Sequence, residues 1–302
     1  MALQPPPVRR FDFDVLHDTI AALRKKQVYF VGGAPKSGTT WLQLLLDAHP
    51  EISCSGEGHY ADRLLPELSK ALKSYNVGID LKNRSIFEEV DSQPLFGDPH
   101  LFYLLTAAIS LMLCHSAKAR AVRIVGDKTP DNIQQFPLIA VLFPQAKFIH
   151  IVRDPRDCAI SAWFHNLRLN PETLTRKYPS QDEFAEHYAK VWVNNISRGH
   201  QFATEHPDRC LLLRYEDLSR EPLPTLAQLY RFLGASSDQA VLQACCAAAD
   251  FSRLSGGRAR GQEDRASFFR RGEAGAWRSH FGAEAERAFR SVAEPWMSNF
   301  QY

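Results

Sequence analysis

Residues 27–41 read QVYFVGGAPKSGTTW, and three structural signals stand side by side in them. Gln27–Val31 is a compact apolar run of strand length. Gly32 and Gly33 open a turn, and Thr39–Ala48 then carries dense apolar content and stops before Pro50, as a helix does. Strand, glycine turn and helix in this order form the first half of a βαβ unit. The turn is also a cradle for an anion. Glycines let the backbone wrap closely, the N–H groups of the following helix end are unsatisfied, and Ser37, Thr39 and Thr40 add hydroxyl donors beside Lys36.

Outward from this unit, β-type runs recur at Ala121–Val125, Lys147–Val152 and Arg209–Leu213. Helical patterns separate them at 101–119, 155–168, 181–205, 221–233 and 237–248. Continuous apolar strands alternating with helices predict a parallel sheet covered on both faces. No fixed-period repeat and no Gly- or Pro-rich linker divides the chain. The expected fold is a single α/β domain with a central parallel β-sheet flanked by helices, a P-loop-containing nucleotide-binding architecture. It should occupy 27–302, behind a tail and short helix in 1–26 whose helical stretch is Phe11–Lys26. In open sheets of this kind ligands sit at the carboxyl ends of the strands, which singles out loops 32–40, 126–131, 153–161 and 214–217.

Composition narrows the function classes. The 302 residues are 45% hydrophobic and 23% charged with a net charge of +2, so binding to nucleic acid through bulk positive charge is excluded. Six cysteines, at 54, 114, 158, 210, 245 and 246, form no CxxC pair, which argues against a disulfide scaffold or a zinc site and suits a reducing cytoplasm. The opening residues MALQPPPVRRFDFD contain no apolar core, and no signal peptide is expected there. The longest apolar run, LFYLLTAAISLMLC at Leu101–Cys114, falls short of the roughly 20 residues of a membrane span and is expected to be a buried core helix.

The loop differs from a Walker A motif. Aligned on Gly33 and Gly38, GxxxxGK[ST] demands lysine at 39, where this chain has threonine; its lysine stands upstream at 36. A second anion element follows at 147–165, KFIHIVRDPRDCAISAWFH. A strand ends at Arg153, Asp154-Pro155 turns the chain, and a helix carries Ser161, so guanidinium and hydroxyl can meet one phosphate.

PKSGTTW resembles the 5′-phosphosulfate loop of the cytosolic sulfotransferases that use 3′-phosphoadenosine 5′-phosphosulfate (PAPS). The next stretch, LLLDAHPEISCSGEGHY, looks more like that of the tyrosylprotein sulfotransferases, in which such a run leads to a catalytic glutamate, here Glu57. Arg153 and Ser161 are similar to the family's 3′-phosphate motif. LLLRYEDL at 211–218 resembles the strand whose tyrosine contacts adenine, here Tyr215. SFFRRGEAGAWRSHF at 267–281 resembles the late loop that closes on the 3′-phosphate, with Phe268, Arg270, Arg271 and Gly272. Trp41 matches the tryptophan that stacks on adenine. The resemblance covers about 27–60, 121–165 and 205–281.

The resemblance implies a sulfuryl transfer from PAPS that yields PAP, without a metal. Lys36, Ser37, Gly38, Thr39, Thr40 and Trp41 would hold the donor, Lys36 and Lys128 would meet the phosphosulfate and sulfuryl oxygens, and Glu57 would be the general base. Two departures matter. Cytosolic enzymes carry Lys-Thr-His where this chain has Lys128-Thr129-Pro130, so their histidine mechanism does not transfer. His59 stands where the tyrosylprotein enzymes carry arginine, and is the next candidate base. Ala249-Asp250-Phe251 lines up with a Thr-x-Phe adenine contact. The acceptor, a small molecule, glycan or peptide, is expected to meet residues from 58–120 and 166–200, with Leu64, Leu65, Phe96, Phe102 and Tyr103 making its pocket partly apolar. Neither nucleic acid nor membrane is expected as a partner; the short dimer motif of the cytosolic enzymes is missing, so oligomeric state stays open. The rival readings are a P-loop nucleotide or small-molecule kinase, which would need ATP and Mg²⁺, and a nucleotide-binding module without turnover.

Overall fold

The computed structural model describes residues 12–86, 93–117 and 122–302. Five strands, β1 (Gln27–Gly32), β2 (Ile52–Ser55), β3 (Ile124–Lys128), β4 (Lys147–Val152) and β5 (Cys210–Arg214), pair in parallel in the order β2-β3-β1-β4-β5. The register sets Val31 beside Lys128 and Ile149. β1 therefore lies between β3 and β4, and the strand order reverses there, the topological position at which doubly wound sheets bind ligands.

Alternation within the strands feeds two cores. Val28, Phe30, Val125 and Phe148 face α1 (Phe13–Leu23), α4 (Asp98–Ala117), α5 (Asn132–Leu142) and α8 (Gln181–Glu205). Tyr29, Val31, Ile124, Ile149 and Ile151 face α2 (Thr39–Asp47), α10 (Pro222–Leu233) and α11 (Gln239–Ala248). Burial on both sides explains why these strands are continuously apolar. A third cluster binds α6 (Pro155–Leu169) and α8 to the C-terminal α13 (Ala283–Asn299). The remaining helices are α3 (Leu65–Ile86), α7 (Pro171–Lys177), α9 (Tyr215–Arg220) and α12 (Phe251–Leu254).

Three expectations are corrected. The third strand is Ile124–Lys128, not Ala121–Val125, because Gln27 pairs with Ile124 and carries the run through the polar Asp127 and Lys128; Ala121 itself lies outside the described residues, as does Phe11 of the first helix. β2 is an edge strand of four residues that the sequence pattern did not single out. The apolar helix α4 is only half buried: Leu105, Ile109 and Leu113 form the inward stripe at four-residue spacing, whereas Tyr103 is 67% and Met112 50% exposed. Among the described residues no helix is long and apolar enough to cross a membrane.

Candidate functional site

The loop after β1 is shaped by two left-handed residues, Lys36 (φ 68°) and Gly38 (φ 98°). Gly38 caps α2, and a Cβ there would meet Tyr215 Cδ2 at 2.5 Å, so glycine is required by both conformation and space. Ser37 is fully buried and its hydroxyl has no partner. Lys36 Nζ rests 4.6 Å over the Phe268 ring. Desolvation, then the charges of Arg168 and Arg153, lower the Lys36 pKa to about 8.

At the end of β4, Asp154 caps α6 through Arg156 N–H and Pro155 starts the helix. Arg153 is buried, stacks 4.1 Å over the Tyr215 ring, makes long bonds to the Lys36 and Glu273 carbonyls, at 3.4 and 3.3 Å, and lies 3.8 Å from the buried Asp157 carboxylate; its Nε has no hydrogen-bond partner. Tyr215 opens α9 immediately after β5, and Trp41 packs its ring edgewise on it at 5.5 Å. Trp41 Nε1 donates to the Ala249 carbonyl at 3.0 Å, which joins the first helix to the 249–251 segment. Asp157 accepts from Gly275 N (2.6 Å) and Trp277 N (3.0 Å) and so ties the late loop to α6. In that loop Gly272 (φ 71°) lies so close to Phe251 that a Cβ would meet its Cδ2 at 2.4 Å.

The third part of the site joins β2 and β3. Lys128, with 3% of its side chain exposed, donates to Glu57 Oε1 at 2.6 Å and to Thr40 Oγ1 at 3.3 Å. The other Glu57 oxygen is 3.4 Å from His59 Nε2, and His59 Nδ1 is 2.7 Å from Asp62 Oδ2. Partial burial pushes the Glu57 carboxyl up, but the bond to Lys128 and its charge, together with His59 when its ring is protonated, outweigh this and hold it below the usual carboxylate range. Beneath them Asp127 accepts from Gly58 N, Thr129 Oγ1 and Asn132 Nδ2, all at 2.9 Å.

These parts surround one cavity of about 450 Å³. Lys36, Gly38, Thr39, Thr40, Trp41, Glu57, Arg153, Ser161, Tyr215, Phe268, Arg270, Arg271 and Gly272 all line it. Of the donor-binding and acid–base residues singled out from sequence, Ser37, Lys128, His59, Ala249 and Asp250 are not on its surface; Ser37 is buried in the loop, Lys128 is buried against Glu57, and His59 stands beside Glu57.

The chain matches the family described as the sulfotransferase family over residues 29–239. It belongs to the sulfotransferase family. It is 28% identical over 220 residues to a Drosophila melanogaster protein-tyrosine sulfotransferase, with 72% of this chain and 40% of that protein covered. It is also 28% identical to Danio rerio protein-tyrosine sulfotransferase 1, with 70% of this chain and 54% of that protein covered. The chain thus spans about half the length of these relatives, or less. In fold it is similar to mouse sulfotransferase SULT7A1 complexed with PAP (TM-score 0.58, 20% identity, 94% of this chain and 89% of that one). The Mycobacterium avium sulfotransferase STF9 shares the fold at a TM-score of 0.55 and 14% identity, over 94% of this chain and 79% of that one.

Within this sulfotransferase the expected apolar acceptor wall is not at the cavity. Leu64, Leu65, Phe96, Phe102 and Tyr103 do not line it, and Phe96 packs outside on Tyr75 and His100. The cause is the direction of α4, whose inward stripe packs on the sheet while α3 buries no residue fully. The wall is instead completed by Pro130, Asp131 and His165. His165 was legible in principle, being four residues after Ser161 on the same helix face. Desolvation, then Lys36 and Arg168, lower its pKa to about 4. Arg260, 5.5 Å over the Trp41 ring, and the acids Glu263 and Glu273, ion-paired to Arg270 and Arg271, had no sequence signal. His59, Asp62 and Asp131 bring ligand atoms within 4.8 Å of one another, a convergence that their sequence positions do not show.

Proposed function

We propose that this sulfotransferase transfers a sulfuryl group from PAPS to a hydroxyl or amine of an acceptor and releases PAP. The observation that carries the reading is the Lys128–Glu57 pair at 2.6 Å, set at the same cavity as Lys36, Arg153 and Ser161. A proton acceptor, two lysines and a separate phosphate grip are the parts a sulfuryl transfer needs. The residues fit a doubly anionic donor. Ser37 Oγ and Arg153 Nε are buried polar atoms without a hydrogen-bond partner, and Arg271 Nε has only the Glu273 carboxylate at 3.6 Å, an arrangement that is costly unless a ligand supplies acceptors.

PAPS supplies the activated sulfuryl group when bound; positioning and charge stabilisation fall to the chain. Arg153, Ser161, Arg270, Arg271 and the Gly272 backbone hold the 3′-phosphate, and Trp41, Tyr215 and Phe268 contact the adenosine. Ser37, Gly38, Thr39 and Thr40 surround the 5′-phosphate. Lys36 meets the bridging oxygen, where charge develops as the bond breaks, while Lys128, buried off the cavity surface, acts through Glu57 rather than on the sulfuryl oxygens. Glu57 takes the acceptor's proton. The names of the relatives put a peptide tyrosine first among acceptors to test, ahead of small molecules and glycans. A cytoplasmic location belongs to the same reading and is supported by six cysteines that form no disulfide, five of them buried.

Calorimetry with PAP and with ATP–Mg²⁺, followed by incubation with ³⁵S-labelled PAPS and a panel of tyrosine peptides, phenols, alcohols and amines, tests the reading. PAP binding and label transfer are expected. Binding of ATP–Mg²⁺ in place of PAP would point to a kinase and overturn it; PAP binding without transfer to any acceptor would leave a binding module.

A further inference from the structure

We infer that His59, oriented by Asp62, receives behind Glu57 the proton that Glu57 takes from the acceptor. The inference rests on the sulfuryl-transfer reading above and names a part of the machinery that the family resemblance does not supply.

The hydrogen-bond inventory carries it. A carboxylate only accepts, so Asp62 Oδ2 at 2.7 Å requires the proton of a neutral His59 to be on Nδ1. Nε2 is then a bare lone pair, and it faces Glu57 Oε2 at 3.4 Å. Two lone pairs opposed in this way repel, and a proton arriving between them satisfies both. The other carboxylate oxygen is already taken by Lys128. Glu57 is therefore held between a permanent cation and an imidazole poised to take a proton.

The backbone supports the same purpose. His59 is one of three non-glycine residues with positive φ among the described residues (φ 49°, ψ 40°). Such a conformation persists only where the surroundings impose it. Here they do: His59 N donates to Thr129 Oγ1, its carbonyl accepts from Arg63 N and Leu64 N, and Gly58 N is fixed by Asp127. A five-residue π-turn, Tyr60–Leu64, follows and returns Asp62 to the ring. The loop thus aims both ring nitrogens.

The relay also resolves a difficulty in the chemistry. Lys128 makes Glu57 a weaker base than an ordinary carboxylate, and a weak base is poorly matched to a hydroxyl at neutral pH. In the step, the acceptor O–H bond breaks as its oxygen bonds to sulfur, and the proton passes to Glu57 Oε2 and on to His59 Nε2. The bond from sulfur to the donor phosphate breaks with its electron pair, which stays on the PAP oxygen. The charges facing this group are Asp62, Asp131 and Arg63 around His59, Asp127 and Lys128 from β3, and Lys36 and His165 across the cavity from Glu57.

Two measurements on the full chain test the inference. The first needs no turnover. Nitrogen-15 spectra of the histidine rings, with His59 assigned by its loss in His59→Asn, should show Nδ1 protonated throughout a pH titration and Nε2 titrating. Glu57→Gln should move that titration, and Asp62→Asn should release the tautomer. A neutral His59 protonated on Nε2, or a titration blind to Glu57→Gln, overturns the inference and leaves sulfuryl transfer untouched. The second uses labelled PAPS with phenols of graded acidity. His59→Asn tolerates the left-handed backbone and can still bond Asp62 but has nothing at the Nε2 place. It should keep PAP affinity and KM and lower kcat by about 10–100-fold with weakly acidic phenols. The loss should shrink as the phenol becomes more acidic, and the acid limb of the pH–rate profile should move. His59→Gly, which fits the backbone without strain, should regain turnover when imidazole is added. Wild-type kcat and pH profile in both variants would overturn the relay. A wild-type chain that neither binds PAP nor transfers label would instead refute the sulfuryl-transfer reading.

Discussion

The donor side and the acceptor side of the cavity are built by different means. On the donor side the parts come directly off strand ends: the loop after β1, Arg153 after β4 and Tyr215 after β5. Their geometry is set by backbone and by close packing, as in the Gly38–Tyr215 contact, and Arg153 is buried while Lys36 is half-buried. On the acceptor side Glu57 has 42% of its side chain exposed, and its place is set by a chain of side chains, Lys128 on one oxygen and His59 with Asp62 on the other. On the proposed assignment, rigid backbone grips a constant ligand and adjustable side chains tune one proton. Substitutions on the donor side should therefore be read mainly in affinity, and those on the acceptor side in turnover.

The largest expected effect tests the acceptor half. Glu57→Gln keeps the size and the bond from Lys128 but takes no proton, so PAP affinity should hold while turnover with a weakly acidic acceptor falls by about 10²–10⁴. A drop in PAP affinity as large as the drop in rate would erase the division. Lys36 sits on the boundary between the halves. Lys36→Ala should lower turnover on the order of a hundredfold, as loss of an oxyanion donor does, with a much smaller change in PAP affinity. If only affinity changes, Lys36 belongs wholly to the donor side.

Arg153→Ala sharpens the donor half. A charge-assisted bidentate contact contributes about 1.5–3 kcal/mol, so calorimetry should show PAP bound at least ~10-fold more weakly. Unchanged affinity in a folded variant would remove Arg153 from the phosphate grip.

The smallest effect is a proton count. The Lys36 pKa of about 8 lies below the ordinary lysine value of 10.5, so between these values the folded chain binds fewer protons than the unfolded one. Lys36 therefore opposes folding below about pH 8, and stability relative to Lys36→Met should rise with pH through that window. Anionic PAP should restore the proton. Calorimetry near pH 8 in buffers of different ionisation enthalpy should detect uptake of roughly half a proton, absent in Lys36→Met. No difference between the two proteins would mean that Lys36 is already charged without ligand.

Local pattern carried most of the fold. The run from Gln27 to Ala48 announces strand, turn and helix because glycines, apolar periodicity and the stop before Pro50 are neighbours in the chain. The helix at 181–205 was legible end to end for the same reason. Lys36, Arg153 and Tyr215 could be singled out because a parallel sheet delivers the carboxyl ends of its strands to one edge. The third strand was misplaced by three residues, since Asp127 and Lys128 look polar in sequence and are buried only by pairing with Phe30 and Val31. Which face of the 101–114 run is wet, that Phe96 and Tyr103 lie outside the cavity, and that Arg260 reaches Trp41 depend on how distant segments pack, and no local period encodes that. The same holds for the acid–base group. Glu57, His59 and Asp62 are close in sequence, but a left-handed residue and a π-turn aim them, and Lys128 arrives 71 positions later. Chemistry types were in the sequence; the pairing of donor with acceptor came only with the tertiary structure, because a hydrogen bond is set by distance and direction rather than by order along the chain.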